Sequence, residues 1–221
     1  MKFSSLADHM ERIERTSERL EITEMMKQLF LEAGDDEVGS ICYLLLGTLG
    51  ADYEGRGIGM ADTLVLRSIS RAAGTSEITA ERKLREKGDI GQMAFELPSN
   101  RKIRKLVSKE ITVSDCYGSV VAFSKLSGKR SIMQRIDRLS SLLADMSPKE
   151  GKYLARYVTG QLRLGISEIT LLDALSQAFA GGKEARQEVE EAFNIRPDIG
   201  RIAVILKKQG LTELRKNQDA T

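Results

Sequence analysis

The chain has 221 residues, 41% hydrophobic and 30% charged, which is enough to bury a sizeable core and typical of a globular protein. One histidine (His9) nearly excludes a His-based zinc site and a Ser-His-Asp triad, and two widely separated cysteines (Cys42, Cys116) fit a reduced, intracellular protein better than a disulfide framework. The net charge of +2, from 34 basic and 32 acidic residues, is too small to announce nucleic acid by itself.

No apolar run approaches the roughly 18 residues that a membrane span needs. The first twenty residues carry acids and lack an apolar signal core. A reduced, cytoplasmic protein is expected, nuclear if the source is eukaryotic, with no membrane partner. Apolar residues recurring every three or four positions predict helices over 5–15, 20–33, 37–46, 62–72, 76–86, 112–125, 132–146, 148–160, 167–180, 184–193 and 198–208. In 132–146 the stripe comprises Ile132, Ile136, Leu139, Leu142, Leu143 and Met146. Before the next helix, Ser147 can cap free N–H groups, Pro148 suits the first helical position and Glu150 completes a capping box; Gly160 supplies the stop. His9 falls on a helix and is expected at its surface. Runs of alternating β-branched residues are absent. The expected fold is all-α, about ten to twelve helices built from two pseudo-symmetric repeats.

The repeats show in three places. Residues 58–70 align with 164–176, sharing a glycine, a following acid and most apolar positions. Asp89-Ile90-Gly91 matches Asp198-Ile199-Gly200, and Gly47 and Gly160 each close an apolar helix. Their common order predicts a duplicated unit, about 1–100 and 110–210, too long for a small solenoid repeat.

Several chemistries fail on spacing. Gly55-Arg56-Gly57-Ile58-Gly59 has Met60 where a dinucleotide fingerprint needs glycine, and no strand precedes it. Lys87-Gly88-Asp89-Ile90 has isoleucine where a nucleotidyltransferase Lys-x-Asp-Gly motif needs glycine, and no aspartate in the chain is followed by glycine. No catalytic residue and no metal ligand is assigned, and no cofactor is expected in this chain.

A binding chemistry remains. In Gly160-Gln161-Leu162-Arg163-Leu164-Gly165-Ile166-Ser167 two glycines allow close backbone approach, and the next helix start offers N–H donors and a positive dipole end to a phosphate. Arg163 can reach a phosphate or a narrow minor groove. The turn carrying Arg56, Gly57 and Gly59 has the same parts. Ser127-Gly128-Lys129-Arg130-Ser131 is a basic turn opening a helix, and its counterpart in the first half is Thr16-Ser17-Glu18-Arg19. Basic residues cluster over 99–109 (Arg101, Lys102, Arg104, Lys105, Lys109) and over 125–138 (Lys125, Lys129, Arg130, Arg135, Arg138, against Asp137). Aromatic residues are only 5%, which argues against stacking platforms for single strands and for duplex backbone contact. Ordinary glycine-stopped turns with a surface arginine fit the same residues, as do two solvated helix faces. The residues alone leave these readings open.

The segments 53–62, 87–91, 162–168, 173–179 and 192–200 together resemble the N-terminal DNA-binding domain of ATP-dependent DNA ligases of the archaeal and eukaryotic type, in family order and across nearly the whole chain. The resemblance implies a roughly two-fold symmetric helical bundle that grips nicked double-stranded DNA across the minor groove without reading its sequence. The implied contacts fall on Gly160, Arg163 and Gly165 and on Ser127, Gly128, Lys129 and Ser131. Arg56, Gly57, Gly59 and Arg19 follow from the repeat. Gln161 departs from the pattern, since that position is often basic in relatives.

The resemblance further implies residues 1–216 as the DNA-binding domain and 217–221 as the start of the linker to an adenylation domain, with an OB-fold domain beyond it. ATP and Mg²⁺ would act in the full-length enzyme during replication, repair and recombination, and a sliding clamp is a candidate partner. This chain alone is expected to neither ligate nor adenylate itself. Two other classes compete: a helical protein-interaction module without DNA affinity, and a helix-turn-helix regulator with a preferred base sequence.

Overall fold

A computed structural model describes residues 1–55, 57–97 and 110–219. Among them the regular elements are twelve α-helices: α1 (Phe3–Glu14), α2 (Arg19–Glu32), α3 (Val38–Leu46), α4 (Asp62–Ala73), α5 (Glu77–Lys87), α6 (Ile90–Glu96), α7 (Val113–Ser124), α8 (Ser131–Asp145), α9 (Pro148–Val158), α10 (Glu168–Phe179), α11 (Arg186–Ile195) and α12 (Ile199–Asp219). Short 3₁₀ turns cover Asp52–Glu54 and Lys183–Ala185. An isolated bridge joins Lys2 to Thr112, with the Phe3 N–H donating to the Ile111 carbonyl at 2.8 Å. The fold is all-α, as the periodicity predicts.

Local chemistry sets the helix ends. Ser147 accepts the Glu150 N–H while the Glu150 carboxylate accepts the Ser147 N–H at 2.8 Å, so the capping box forms with Pro148 at the first helical position. Thr112 and Asp115 build a second box at α7. Gly160 closes the end of α9, with the Gln161 N–H returning to the Arg156 carbonyl at 2.8 Å, and Gly47 closes α3 in the same way. Gly210 (φ 77°) breaks α12.

The described residues fall into two compact units, one from residues 1, 8–55 and 163–219, the other from 2–7, 57–97 and 110–162. In the first unit α2 packs on α10, α3 on α12, and α11 against both α10 and α12. In the second, α8 packs on α4 and α9 on α6, with α5 beside α4 and α6 and α7 beside α8. Each unit therefore draws helices from both halves of the chain.

The α6–α9 and α3–α12 crossings are close enough to need glycine. A Cβ on Gly91 would lie 2.7 Å from the Lys152 carbonyl oxygen, and one on Gly39 would lie 2.9 Å from the Gly200 carbonyl oxygen. Asp89 caps α6 through the Gln92 N–H (2.7 Å) and also accepts Arg156 Nε at 3.1 Å, with both side chains buried. Asp198 caps α12 through the Arg201 N–H (2.9 Å) and accepts the Tyr43 hydroxyl.

Two expectations are corrected here. His9 is buried on α1 rather than at the surface, with Nε2 3.1 Å from the Glu32 carboxylate, because its face of α1 also carries the core residues Leu6, Met10 and Ile13. The apolar stripe of α8 buries Ile136, Leu139, Leu143 and Met146, but Ile132 is 55% exposed, because the first turn of α8 extends past the core. Cys42 and Cys116 are free and buried, and burial pushes both thiols above the ordinary range. Among the described residues no helix is long and apolar enough to cross a membrane.

Candidate nucleic-acid interface

In the second unit α4 and α8 run side by side in the same direction. Gly59, just ahead of α4, meets Arg135 near the start of α8, while Ile69 and Ala73 at the end of α4 line one small cavity with Leu143 and Met146 at the end of α8. Both helix starts therefore lie at the same end of the unit, with the 57–61 loop ahead of one and the 125–130 turn ahead of the other. Arg135 joins them: Nη1 donates to the Gly59 carbonyl at 2.6 Å, and Nη2 donates to the Ser124 (3.1 Å) and Leu126 (2.7 Å) carbonyls. A planar fork with several donors can do this, where a lysine could not. Gly59 adopts φ 68°, which favours glycine, and a Cβ there would lie 2.6 Å from Arg135 Nη1 and displace the guanidinium from its carbonyls.

Neither α4 nor α8 is capped by a side chain, since their N-cap residues are Ala61 and Arg130. Ser76, Asp89, Thr112, Ser147 and Ser167 cap α5, α6, α7, α9 and α10, whereas α2, α3 and α11 also start without a side-chain cap and α4 carries Asp62 in its first turn. First-turn N–H groups have no i−4 acceptor within the helix, although here the Leu64 N–H donates to the Ala61 carbonyl (2.8 Å) and the Ser131 N–H to the Gly128 carbonyl (3.1 Å). At α8 the first turn holds no acid, and Ser127, Gly128, Lys129 and Arg130 ahead of it are exposed. The arrangement presents main-chain donors, a helix-dipole end and cations together, which suits a phosphodiester.

The 160–167 turn is held differently. Leu162 and Leu164 are buried, 6% and 4% exposed, and Arg163 between them is turned outward. Arg163 takes φ 56° and is, among the described residues, the one non-glycine with positive φ; Gly160 (φ 69°) and Gly165 (φ 66°) flank it. Such a conformation costs a non-glycine residue roughly 1–2 kcal/mol, and the two buried leucines hold it. Gln161 Nε2 lies 3.4 Å from the Asp62 carboxylate at the α4 start. Glu168, in the first turn of α10, has its carboxyl raised by burial and by the nearby Asp52, so this helix start is less hospitable to an anion than that of α8.

The second unit thus brings Gly57, Gly59, Ser127, Gly128, Lys129 and Ser131 to one end, with Gly160 beside Gln161. Arg163, Gly165 and Arg19 belong to the first unit. There Arg19 opens α2 in an ion pair with Asp173, which also holds Arg186. Arg56 and the basic stretch 99–109 lie outside the described residues. Sequence reasoning counted Arg135 only as part of a basic run. Its signal was its position, four residues before the buried Leu139 and therefore beside the apolar stripe.

Two groups of the Lys87-Gly88-Asp89 segment are engaged within the fold. Lys87 Nζ is 2.7 Å from Glu96, and Asp89 is spent on the α6 cap and Arg156. Among the described residues no group of three or more His, Cys, Asp or Glu is placed to hold a metal ion.

A family model described as the DNA ligase N terminus matches residues 2–176. The chain is similar to a DNA ligase of Nitrosopumilus maritimus (strain SCM1), 38% identical over 216 residues, covering 98% of this chain and 37% of that protein. A DNA ligase 2 of Thermofilum pendens is 38% identical over 218 residues (96% of this chain, 36% of that protein). A probable DNA ligase of Dictyoglomus thermophilum is 37% identical over 216 residues (98% and 36%). The chain spans little more than a third of the length of these relatives.

Proposed function

Because the chain belongs to the family of DNA ligase N termini, we propose that it is the DNA-binding part of an ATP-dependent DNA ligase. It grips nicked duplex through the phosphate backbone and minor groove, without reading base sequence. The observation that carries this is the convergence, in the second unit, of two uncapped helix starts and a basic turn held to the 57–61 loop by Arg135. The first-turn N–H groups of α4 and α8 receive phosphate oxygens, Lys129 and Arg130 add charge, and Arg163 is held outward to enter the groove. Phosphate contacts set position and affinity but carry no sequence information. The repeated order of elements in the two halves is read here as a duplication.

ATP and Mg²⁺ act elsewhere in the full-length ligase, on adenylation and OB-fold domains; the groups in this chain supply affinity and orientation. A sliding clamp is a further proposed partner of the whole enzyme.

The test is fluorescence anisotropy with labelled nicked duplex, intact duplex and single strand in unrelated sequences. Duplex binding indifferent to sequence and falling with salt is expected. Neutralising ~4–6 phosphates gives a log–log slope of roughly −3.5 to −5. No duplex binding at low salt would leave a protein-interaction module as the better reading.

A further inference from the structure

Ile132 and Met133 are 55% and 58% exposed on the first turn of α8, directly after Lys129 and Arg130. Ile132 continues the stripe that buries Ile136, Leu139 and Leu143, yet more than half of it stays exposed. Large apolar side chains on one helical turn gain free energy when a partner covers them. The surroundings define that partner by charge. Lys125, Lys129, Arg130 and Arg138 are exposed nearby, and the one acid in the stretch, Asp137, is paired with Arg71. A strongly anionic partner with apolar surface between its charges fits this patch, and the deoxyribose rings lining a minor groove are such a surface.

Resting on the DNA-binding reading, we propose that Ile132 and Met133 pack against deoxyribose in the minor groove while the uncapped N–H groups of the same helical turn and the preceding Lys129 and Arg130 hold the adjoining phosphates. One helical turn then supplies both a salt-sensitive and a salt-insensitive part of the affinity. Counterion release governs the cationic part, whereas apolar contact is not screened.

The experiment measures duplex affinity by anisotropy across a salt series for the wild type, Ile132→Gln/Met133→Gln and Lys129→Ala/Arg130→Ala, using labelled nicked duplex. Glutamine keeps the size and the helix propensity at exposed positions, and circular dichroism checks the fold. Covering roughly 50 Å² of apolar surface implies a loss of about tenfold for the glutamine pair, with an unchanged salt slope. The alanine pair should flatten the slope by about 2. Wild-type binding with a glutamine pair that binds equally well overturns the inference and leaves the DNA reading standing. A salt slope that flattens in the glutamine pair also overturns it. Wild-type protein that binds no duplex at any salt overturns both. A wild type that dimerises by sedimentation, with dimers lost and DNA binding kept in the glutamine pair, assigns the patch to a second copy and overturns the inference.

Discussion

In the second unit the α6–α9 crossing is fastened by the buried Asp89–Arg156 ion pair, whereas in the first unit the α3–α12 crossing is fastened by the Tyr43 hydroxyl on Asp198. In both, an aspartate of an Asp-Ile-Gly segment caps the incoming helix and accepts a side chain from the helix it crosses. Only one of the two commits a full buried positive charge. The helix starts differ as well. In the second unit Arg135 ties the 57–61 loop to the turn before α8 through carbonyl oxygens and leaves Lys129 and Arg130 exposed. At the start of α2 in the first unit, Arg19 is neutralised by Asp173. Similar helix pairings thus carry different electrostatics: Lys129 and Arg130 stay exposed ahead of α8, whose first turn holds no acid, and the proposed anion contact falls on that start.

The largest expected effect tests the crossings. Arg156→Ala leaves Asp89 buried beside an empty space and should cost about 3–5 kcal/mol in urea unfolding. Tyr43→Phe removes one hydrogen bond while Asp198 keeps its cap, and should cost about 1 kcal/mol. Equal costs would mean that packing rather than charge distinguishes the crossings.

Next comes the fork at Arg135. Arg135→Lys keeps the charge but cannot hold three carbonyls, so duplex affinity should fall about tenfold, roughly 1.4 kcal/mol, with the salt slope intact. Wild-type affinity in this variant would show that only the charge matters there.

Arg163→Ala should weaken duplex binding by ~1 kcal/mol or more without unfolding. Arg163→Gly should weaken it as much while leaving stability equal or higher, because glycine relieves the positive φ. Arg19→Ala should weaken binding less than either, its guanidinium being held by Asp173. Isothermal titration of all three against one duplex ranks them, and an Arg19 loss exceeding that of Arg163 would reverse the comparison.

The smallest effect concerns acid. Hydrogen bonds from Lys87 and Lys83, then Gln92, hold the Glu96 carboxyl down to about 2, below its ordinary 4.5. Its folded-state value is depressed, so its contribution to stability is present above about pH 4.5 and is lost as pH falls towards 2. Glu96→Gln should make unfolding slightly less pH-dependent across that window, as followed by circular dichroism. An unchanged profile would mean that the lysines contribute nothing there.

Much of the fold is legible because its signals are local: the Ser147-Pro148-Lys149-Glu150 box, the glycine stops at Gly47 and Gly160, and stripes of period 3.6. The glycine turns are legible for the same reason. What escapes the sequence depends on partners distant in the chain. Arg156 sits in the apolar run Tyr153–Val158, and only Asp89 on another helix makes its burial tolerable. His9 is drawn inside by the face it shares with Leu6 and Met10, and Ile132 is left outside because the core ends one turn earlier. The alternation Leu162-Arg163-Leu164 is visible in the sequence, but the positive φ of Arg163 between the two buried leucines is not. The repeat is written along the sequence, and each compact unit draws helices from both of its halves.

The most direct test of the helix-start interface is a titration of ¹⁵N-labelled protein with nicked duplex, followed by amide chemical shifts. Shifts concentrated at Gly57, Gly59, Gly128, Ser131 to Met133, Gly160 and Gly165 are expected. Binding that leaves these amides unmoved and perturbs residues elsewhere would contradict it.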